Sequence, residues 1–288
     1  MIDLHAHLAP ALPPDAPPIR VPPALHRPGE LLEHLDRLQL EEAVVSIPPP
    51  FYRQDLADDD AAVWVAAVND GLGDVVASEP RLSAFAYLPL EHPTLAQREI
   101  ERVAERGFVG FTASAGGRSV SLDGAELEPL WRALDESAAP LLLHPGASTD
   151  PRLNPLYLGN LLGNPFETTL AAAQLILGDV LARFPRVRVI LAHGGGAVAA
   201  LVGRWQQGVD TDRPGLRPLT EPPLQAVRRF YVDTITHHPE MTELVRRVIG
   251  PDRLVFGSDW PFPMGSMAGR EAAANARAVL SSEPRRSR

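Results

Sequence analysis

The chain has 288 residues, of which 45% are apolar and 22% charged, so it can bury a large core and is not wholly disordered. Its formal net charge of −9 argues against a general nucleic-acid or anionic-membrane binder, because either would need a basic face. The chain contains no Cys, and all 27 of its basic residues are Arg. The composition therefore excludes disulfides, thiolate chemistry, Schiff-base catalysis, a P-loop and a pair of metal ions bridged by a modified lysine.

The N-terminal sequence Met-Ile-Asp-Leu-His has neither the basic start nor the long apolar run of a secretory signal. No stretch of the chain approaches the roughly 20 apolar residues that a transmembrane helix requires. These features predict a soluble cytoplasmic protein that does not bind a membrane.

Short apolar runs alternate with longer helical stretches along the whole chain. Strands are predicted at 2–7, 43–48, 82–90, 109–112, 140–144, 187–193, 229–233 and 254–258, and helices at 28–38, 58–78, 94–105, 126–137, 165–184, 196–208, 239–249 and 270–280. Apolar runs of this length, bounded by Pro and Gly, are typical of parallel strands buried on both faces. Eight such units in 288 residues average 36 residues each, which favours a closed α/β barrel; a doubly wound open sheet has the same periodicity.

Two segments lack the periodicity of a helix or a strand. The Pro-rich segment 9–28 is predicted to be an ordered loop after the first strand, and 210–223 is a second loop. The tail at 281–288 is polar and basic, which predicts fraying. No linker interrupts the pattern, so residues 1–288 are expected to form one domain.

Polar side chains follow several of the apolar strands, at the point where each strand ends. His5 and His7 lie two residues apart on the first strand and therefore point to the same face. His144, His193 and Asp259 are each the first strongly polar residue after an apolar run. The carboxyl ends of the strands in a parallel barrel share one face, so these five groups predict a metal site there. Histidine and carboxylate ligands suit one Zn²⁺, with Mn²⁺ or Fe²⁺ as alternatives.

Several motifs extend this pattern from the first strand to the eighth. They are Ile-Asp-Leu-His-Ala-His at 2–7, His-Pro at 144–145, Gly-Asn-Pro-Phe-Glu-Thr-Thr at 163–169, Phe-Pro at 184–185, Ala-His-Gly-Gly-Gly at 192–196, Val-Gly-Arg at 202–204 and Gly-Ser-Asp-Trp-Pro-Phe-Pro at 257–263. In these motifs the chain resembles the amidohydrolase superfamily. Within it, the chain is similar to the branch of α-amino-β-carboxymuconate-ε-semialdehyde decarboxylase and related metal-dependent decarboxylases.

The resemblance implies a single (β/α)8 TIM barrel of the metal-dependent hydrolase type, assembled as a homodimer. It implies that the metal ligands are His5, His7, His144 and Asp259. By the same resemblance His193 lies just beyond the ligands and acts in catalysis together with Asp259, by orienting or deprotonating a metal-bound water.

The resemblance also points to residues that bind the substrate. Arg204 matches an arginine that binds a substrate carboxylate, in some relatives from the partner subunit, and Arg20 matches a second one in the loop after the first strand. Phe51 and Trp260 follow strand ends and are predicted to wall the pocket. Gly146 stands where the family enzyme has a bulky aromatic residue, which predicts a roomier pocket. The stretch after 263 is compressed, which predicts a short last helix.

These features predict a metal-dependent decarboxylase, a carbon–carbon lyase, acting on a small aromatic or unsaturated carboxylic acid. The alternative is a hydrolase that uses a metal-activated water on a lactone, an amide or an ester, or that hydrates a conjugated acid. A pocket without arginine near the metal would favour a neutral hydrolytic substrate. A non-catalytic barrel is a third possibility, because a fold does not by itself imply a function.

Overall fold

A computed structural model describes residues 1–14 and 16–281. Eight parallel strands form one sheet in chain order: β1 (Ile2–His7), β2 (Glu42–Ser46), β3 (Leu82–Leu88), β4 (Gly110–Ala115), β5 (Pro140–Pro145), β6 (Arg188–Leu191), β7 (Tyr231–Asp233) and β8 (Leu254–Val255). The segment after β8 closes the barrel onto β1, where Leu4 N donates to Phe256 O at 2.9 Å and His7 N donates to Trp260 O at 2.9 Å. The predicted TIM barrel is confirmed, and the open sheet is excluded.

Helices cover the outside of the barrel. They are α1 (Pro28–Leu38), α2 (Asp58–Ala77), α3 (Pro93–Val103), α4 (Glu128–Ser137), α5 (Asn164–Leu177), α6 (Val180–Arg183), α7 (Val198–Asp210), α8 (Pro223–Ala226), α9 (Pro239–Val248) and α10 (Ala276–Leu280). Proline is the first residue of α1, α3 and α9, where its fixed φ suits a helix start and its missing N–H is not needed. None of the helices within the described residues is long and apolar enough to cross a bilayer.

Most predicted bounds differ from the structure by one to three residues, and two predicted helices and one predicted loop differ more. The helix predicted at 165–184 is two helices, α5 and α6, because Asp179 between them adopts a left-handed φ of 59°. Of the helix predicted at 270–280, only α10 is α-helical, and a 3₁₀ turn precedes it, in line with the short last helix expected there. The loop predicted at 9–28 contains a 3₁₀ turn at Pro23–His26. The predicted fraying concerns 281–288, of which 282–288 lie outside the described residues.

A change of register in β1 aims its histidines into the barrel. Leu4 belongs to the apolar cluster inside the barrel, whereas Ala6 packs between the sheet and the helices. The pairing of β1 with β2 shifts between Asp3 and Ala6, so the inward face of the strand changes parity there. His5 and His7 therefore point inward at the carboxyl end of the barrel, above the apolar interior.

Candidate metal centre

Four side chains from three places in the barrel converge at its carboxyl end. His5 and His7 come from β1, His144 from β5, and Asp259 from the segment after β8, and all four are buried. One donor atom of each lies within 4.8 Å of the donors of the other three. His7 Nε2 is 3.1 Å from Asp259 Oδ1 and 3.2 Å from His5 Nε2. The predicted ligand group is thus brought together in space.

In each histidine of the group, Nδ1 contacts an oxygen atom outside the cluster. The Nδ1 contacts are His5 with Asp233 Oδ2 at 2.7 Å, His7 with Ser46 Oγ at 3.2 Å, and His144 with Pro145 O at 3.2 Å. A carboxylate and a carbonyl oxygen accept only, so these contacts assign the proton of His5 and His144 to Nδ1. With the proton at Nδ1, the Nε2 lone pair faces the centre of the cluster, which is how metal-binding histidines are commonly oriented.

Two atoms of the cluster lack any hydrogen-bond partner among the described residues. They are His144 Nε2 and Asp259 Oδ1, and both are buried. A buried acceptor without a partner costs about 1–3 kcal/mol, so a group that satisfies both at once would stabilise the site. A divalent cation binds such nitrogen and oxygen atoms at roughly 2.0–2.2 Å. Three imidazoles and one carboxylate therefore fit one divalent metal ion.

The protonation states of two ligands also suit a cation. Burial alone would raise the pKa of Asp259, but the neighbouring imidazoles of His193 and His7 outweigh burial and hold that pKa well below its usual range. Burial, together with the neighbouring His7 and His5, lowers the pKa of His144 well below its ordinary value. At neutral pH the first is a carboxylate and the second a neutral imidazole, the forms in which each binds a metal.

His193 lies beside the four ligands rather than among them. It follows β6 in a tight turn, with a left-handed φ of 54°. Its Nε2 is 3.6 Å from Asp259 Oδ2, and its ring centre is 5.0 Å from that of His144. Gly194, the next residue, has a φ of 62°, and a Cβ there would lie 2.7 Å from Thr236 Cγ2. The glycine run of the motif at 192–196 is thus what lets the chain turn back and present His193 to the cluster.

A cavity of about 820 Å³ opens above the cluster, and His144, His193 and Asp259 lie at its base. Its walls are mainly apolar, among them Leu153, Leu161, Ile235, Met241, Val245 and Phe262. Uncharged polar side chains such as Asn154, Asn160 and Thr236 complete them, and His237 lies at the exposed rim. No Arg side chain lines the cavity within the described part of this chain.

Gly146 lines this cavity directly after the His-Pro motif. A Cβ at position 146 would lie 2.2 Å from Ser114 Oγ and 2.8 Å from Gln54 Oε1. The neighbouring side chains therefore occupy the space that a larger residue would need.

None of the residues predicted to bind substrate lines the cavity within the described part of the chain. Arg204 is exposed on α7, and Arg20 is exposed in the loop after β1. Phe51 is only 1% exposed and packs in the core between sheet and helices, while Trp260 is half-buried against the same core. Their roles in substrate binding stay predictions.

Sequence reasoning missed Asp233, the last residue of β7. Its side chain is fully buried and bonds His5, as well as the backbone N–H groups of His193, Gly194 and Ile235. The signal was present, because Asp233 is the first charged residue after an apolar run, as are the ligands on the other strands.

Asp3 is fully buried and accepts the backbone N–H of His5, and its ionisation is a measure of that burial. Burial raises the pKa of Asp3 from 3.8 to about 6. The folded state therefore binds this proton more tightly than the unfolded chain does. The protonated carboxyl stabilises the folded state below pH 3.8, and this contribution is lost as the pH rises through 6. Asparagine cannot ionise. We therefore expect the free energy of unfolding of Asp3→Asn, relative to that of the wild type, to rise by about 2 kcal/mol when the pH is raised from 4.5 to 7.5.

Urea unfolding of the metal-free wild type and variant at both pH values measures this gain. The difference in unfolding free energy between variant and wild type is compared at the two pH values. Any effect of the substitution that does not depend on pH therefore cancels. A difference that stays constant between the two pH values would show that Asp3 is ionised throughout.

Comparison with known proteins agrees with this architecture. Residues 2–286 match the amidohydrolase family. The chain is 28% identical over 245 residues to 2-amino-3-carboxymuconate-6-semialdehyde decarboxylase of Dictyostelium discoideum, covering 83% of this chain and 68% of that one. It is 31% identical over 255 residues to gamma-resorcylate decarboxylase of a Polaromonas strain, covering 79% and 75%.

A solved structure shows the same fold at lower identity. Dihydroxybenzoic acid decarboxylase from a Polaromonas strain, with bound manganese and the inhibitor 2-nitroresorcinol, superimposes with a TM-score of 0.80 at 23% identity. The match covers 97% of this chain and 96% of that one. It confirms the barrel along nearly the whole chain.

Proposed function

The chain belongs to the amidohydrolase family, and from that premise we propose that it is a metal-dependent decarboxylase of a small aromatic or unsaturated carboxylic acid. The observation that carries the proposal is the group of three imidazoles and one carboxylate at the base of a largely apolar cavity. The two relatives named above, which the chain matches over most of its length, are both decarboxylases. The apolar walls suit a planar ring or a conjugated chain, and the cluster suits its carboxylate or a neighbouring oxygen.

The reaction replaces a carboxylate on carbon by a proton. The bond between the substrate carbon and its carboxyl group breaks, CO₂ leaves, and the electron pair stays on the carbon until a proton arrives. A divalent cation bound at the cluster supplies a Lewis acid that polarises a substrate oxygen. His193 and Asp259, 3.6 Å apart at the base of the cavity, hold a proton beside the place where the substrate lies, and one of them delivers it to the carbon.

We propose one ion, zinc by its ligand chemistry, with manganese or iron as alternatives. The relative whose structure superimposes on this chain contains manganese, which supports including that metal in any assay.

We further propose that the protein works as a cytoplasmic homodimer. Large apolar side chains are exposed in and beside the segment after β5, including Leu156 at 83%, Leu162 at 54% and Phe166 at 54%. Such a patch is typical of an interface. Arg204 is exposed on α7, so if it binds a substrate carboxylate it does so from the neighbouring subunit.

The second candidate function is hydrolysis of a lactone, an amide or an ester. It is favoured by the uncharged walls of the cavity, because within the described chain no Arg stands ready for a second anionic group of the substrate. In this reaction His193 stabilises the developing oxyanion and Asp259 acts as the base.

The two functions leave different atoms in the products. The protein is loaded with Zn²⁺ or Mn²⁺ and offered ring-hydroxylated benzoates labelled with ¹³C in the carboxyl group, 2,6-dihydroxybenzoate first, and in parallel a panel of lactones and esters in H₂¹⁸O. We expect ¹³CO₂ and the ring-protonated product, with chelated protein as the control. Entry of ¹⁸O into a carboxylic product without CO₂ release would replace the decarboxylase by the hydrolase.

A further inference from the structure

The carboxylate of Asp233 is the point where three active-site segments meet. It is fully buried and accepts four hydrogen bonds. The donors are His5 Nδ1 at 2.7 Å, His193 N at 2.8 Å, Gly194 N at 2.8 Å and Ile235 N at 3.0 Å. They belong to β1, the turn after β6 and the loop after β7, so this single side chain ties together segments that are far apart in the sequence.

The four bonds are divided evenly between the two carboxylate oxygens. Oδ2 accepts from the ring of His5 and from the backbone of His193, and Oδ1 accepts from the backbone of Gly194 and Ile235. His193 has a left-handed φ of 54°, which a residue with a side chain adopts only at a cost that its surroundings must offset. The bonds to Asp233 provide that support. One oxygen thus touches both a ligand of the cluster and the backbone of the histidine beside it.

We propose that Asp233 is the positioning residue that couples the metal ligand His5 to the placement of His193. It holds the proton of His5 at Nδ1, so that Nε2 is free to bind the metal, and it holds the turn that aims His193 at the cluster. The part of the proposal that concerns His193 in turnover rests on the proposed function. The parts that concern metal binding and the turn do not.

A carboxamide cannot do the same work as this carboxylate. In Asp233→Asn one of the two oxygens becomes an NH₂ group, which donates only. In either orientation the NH₂ then faces two of the present donors. Where it faces the ring of His5, the repulsion is relieved if the proton of His5 moves from Nδ1 to Nε2, which removes the lone pair that faces the metal. Where it faces Gly194 and Ile235, the turn that carries His193 loses its anchor.

The chain offers a matched control for this substitution. Asp3 is also fully buried, lies two residues from His5, and accepts the backbone N–H groups of His5 and Ser258 through Oδ1. Within the described residues, Asp3 makes no hydrogen bond to the ring of His5. Asp3→Asn therefore makes the same chemical change at a similar depth without disturbing a ring nitrogen or the turn after β6.

The first measurement is zinc affinity, read by competition with a chromogenic chelator starting from metal-free protein. We expect Asp233→Asn to lower the affinity 10- to 100-fold, the usual range for an outer partner of a metal-binding histidine. Asp3→Asn should stay close to the wild type. Equal affinity for zinc in the wild type and in Asp233→Ala, which leaves the ring of His5 without this acceptor in any orientation, would overturn the claim about His5.

The second measurement is hydrogen–deuterium exchange of the peptide that covers 192–197, followed by mass spectrometry. We expect faster exchange in Asp233→Asn and no change in Asp3→Asn. Unchanged exchange would overturn the claim about the turn. Neither readout needs substrate, so a protein that shows both effects but releases no CO₂ would refute the proposed function and leave this inference standing.

A third measurement on the wild type covers the case in which Asp233→Asn does not fold. Nitrogen NMR of the histidine rings in the zinc-loaded protein, with His5 assigned from a His5→Gln variant, should show the proton of His5 at Nδ1. A proton at Nε2 would contradict the proposed orientation directly.

Discussion

We expect His144→Ala to lower the affinity of the protein for a divalent metal by more than the 10- to 100-fold typical of an outer-shell substitution, and to abolish turnover at ordinary metal concentrations. His144 Nε2 is buried and has no hydrogen-bond partner in the described chain, so its position suits metal binding. Its removal leaves three ligands and a vacant space in the wall of the cavity. Metal content after dialysis, measured by mass spectrometry, and CO₂ release under the same conditions check the prediction.

The control for this variant is another histidine of the same chain. His26 is exposed in the 3₁₀ turn after β1 and does not line the cavity, so His26→Ala should keep both metal and activity. Thermal melting of the metal-free proteins separates lost binding from lost folding. If His144→Ala retained one metal ion per chain and full turnover, the ligand assignment would be wrong.

The sequence predicted that the five polar groups meet at one rim because the barrel turns a linear pattern into a spatial one, whereas the separation of His193 from the four ligands came from the resemblance. His144 and Asp259 each end an apolar run, and parallel strands of a closed barrel all end at the same rim. His5 and His7, two residues apart on one strand, needed only the alternation of side chains to be placed on one face. Residues more than 100 positions apart could therefore be grouped without any coordinates.

The same reasoning does not reach the direction of a side chain where tertiary packing decides it. Phe51 follows a strand end as a pocket residue would, but it turns into the core and stacks near Trp64, with ring centres 6.4 Å apart. Arg204 lies on α7, and its helical position leaves it exposed rather than facing the cavity of its own chain. Nothing in the local pattern distinguishes an inward loop residue from an outward one.

Asp233 shows a different limit of the sequence. Asp233 lies at a strand end, as the ligands do, so the sequence indicates its position at the rim of the barrel. The sequence does not indicate its role. Whether a polar residue at the rim binds the metal or supports a ligand depends on distances between strands. The contact with His5 spans 228 residues of sequence, and the register shift in β1 that aims His5 inward leaves no signature in residue type. The sequence pattern also could not show that the barrel closes, because an open sheet has the same strand–helix period.

The second large effect is expected on substitution of His193. It differs from the loss of a ligand because kcat should fall while the metal is retained. We expect His193→Asn to lower kcat by about 10²–10⁴-fold, the range for loss of a general acid or base, while the protein still binds one metal ion per chain. His193 Nε2 lies 3.6 Å from Asp259 Oδ2, outside the group of four donors, so the ligand set survives the substitution. Asparagine suits this test because it tolerates the left-handed φ of 54° that position 193 requires.

The structure contains a second histidine in the same backbone conformation for comparison. His237 has a φ of 57°, lines the exposed rim of the cavity, and makes no ion pair with Asp259 among the described residues. His237→Asn makes the same change of side chain on the same type of backbone, and it should lower kcat far less than His193→Asn. Loss of metal from His193→Asn would make His193 a fifth ligand, and wild-type turnover would remove it from the chemistry. Only a large fall in kcat with metal retained fits a proton-transferring group held beside the metal by the turn after β6.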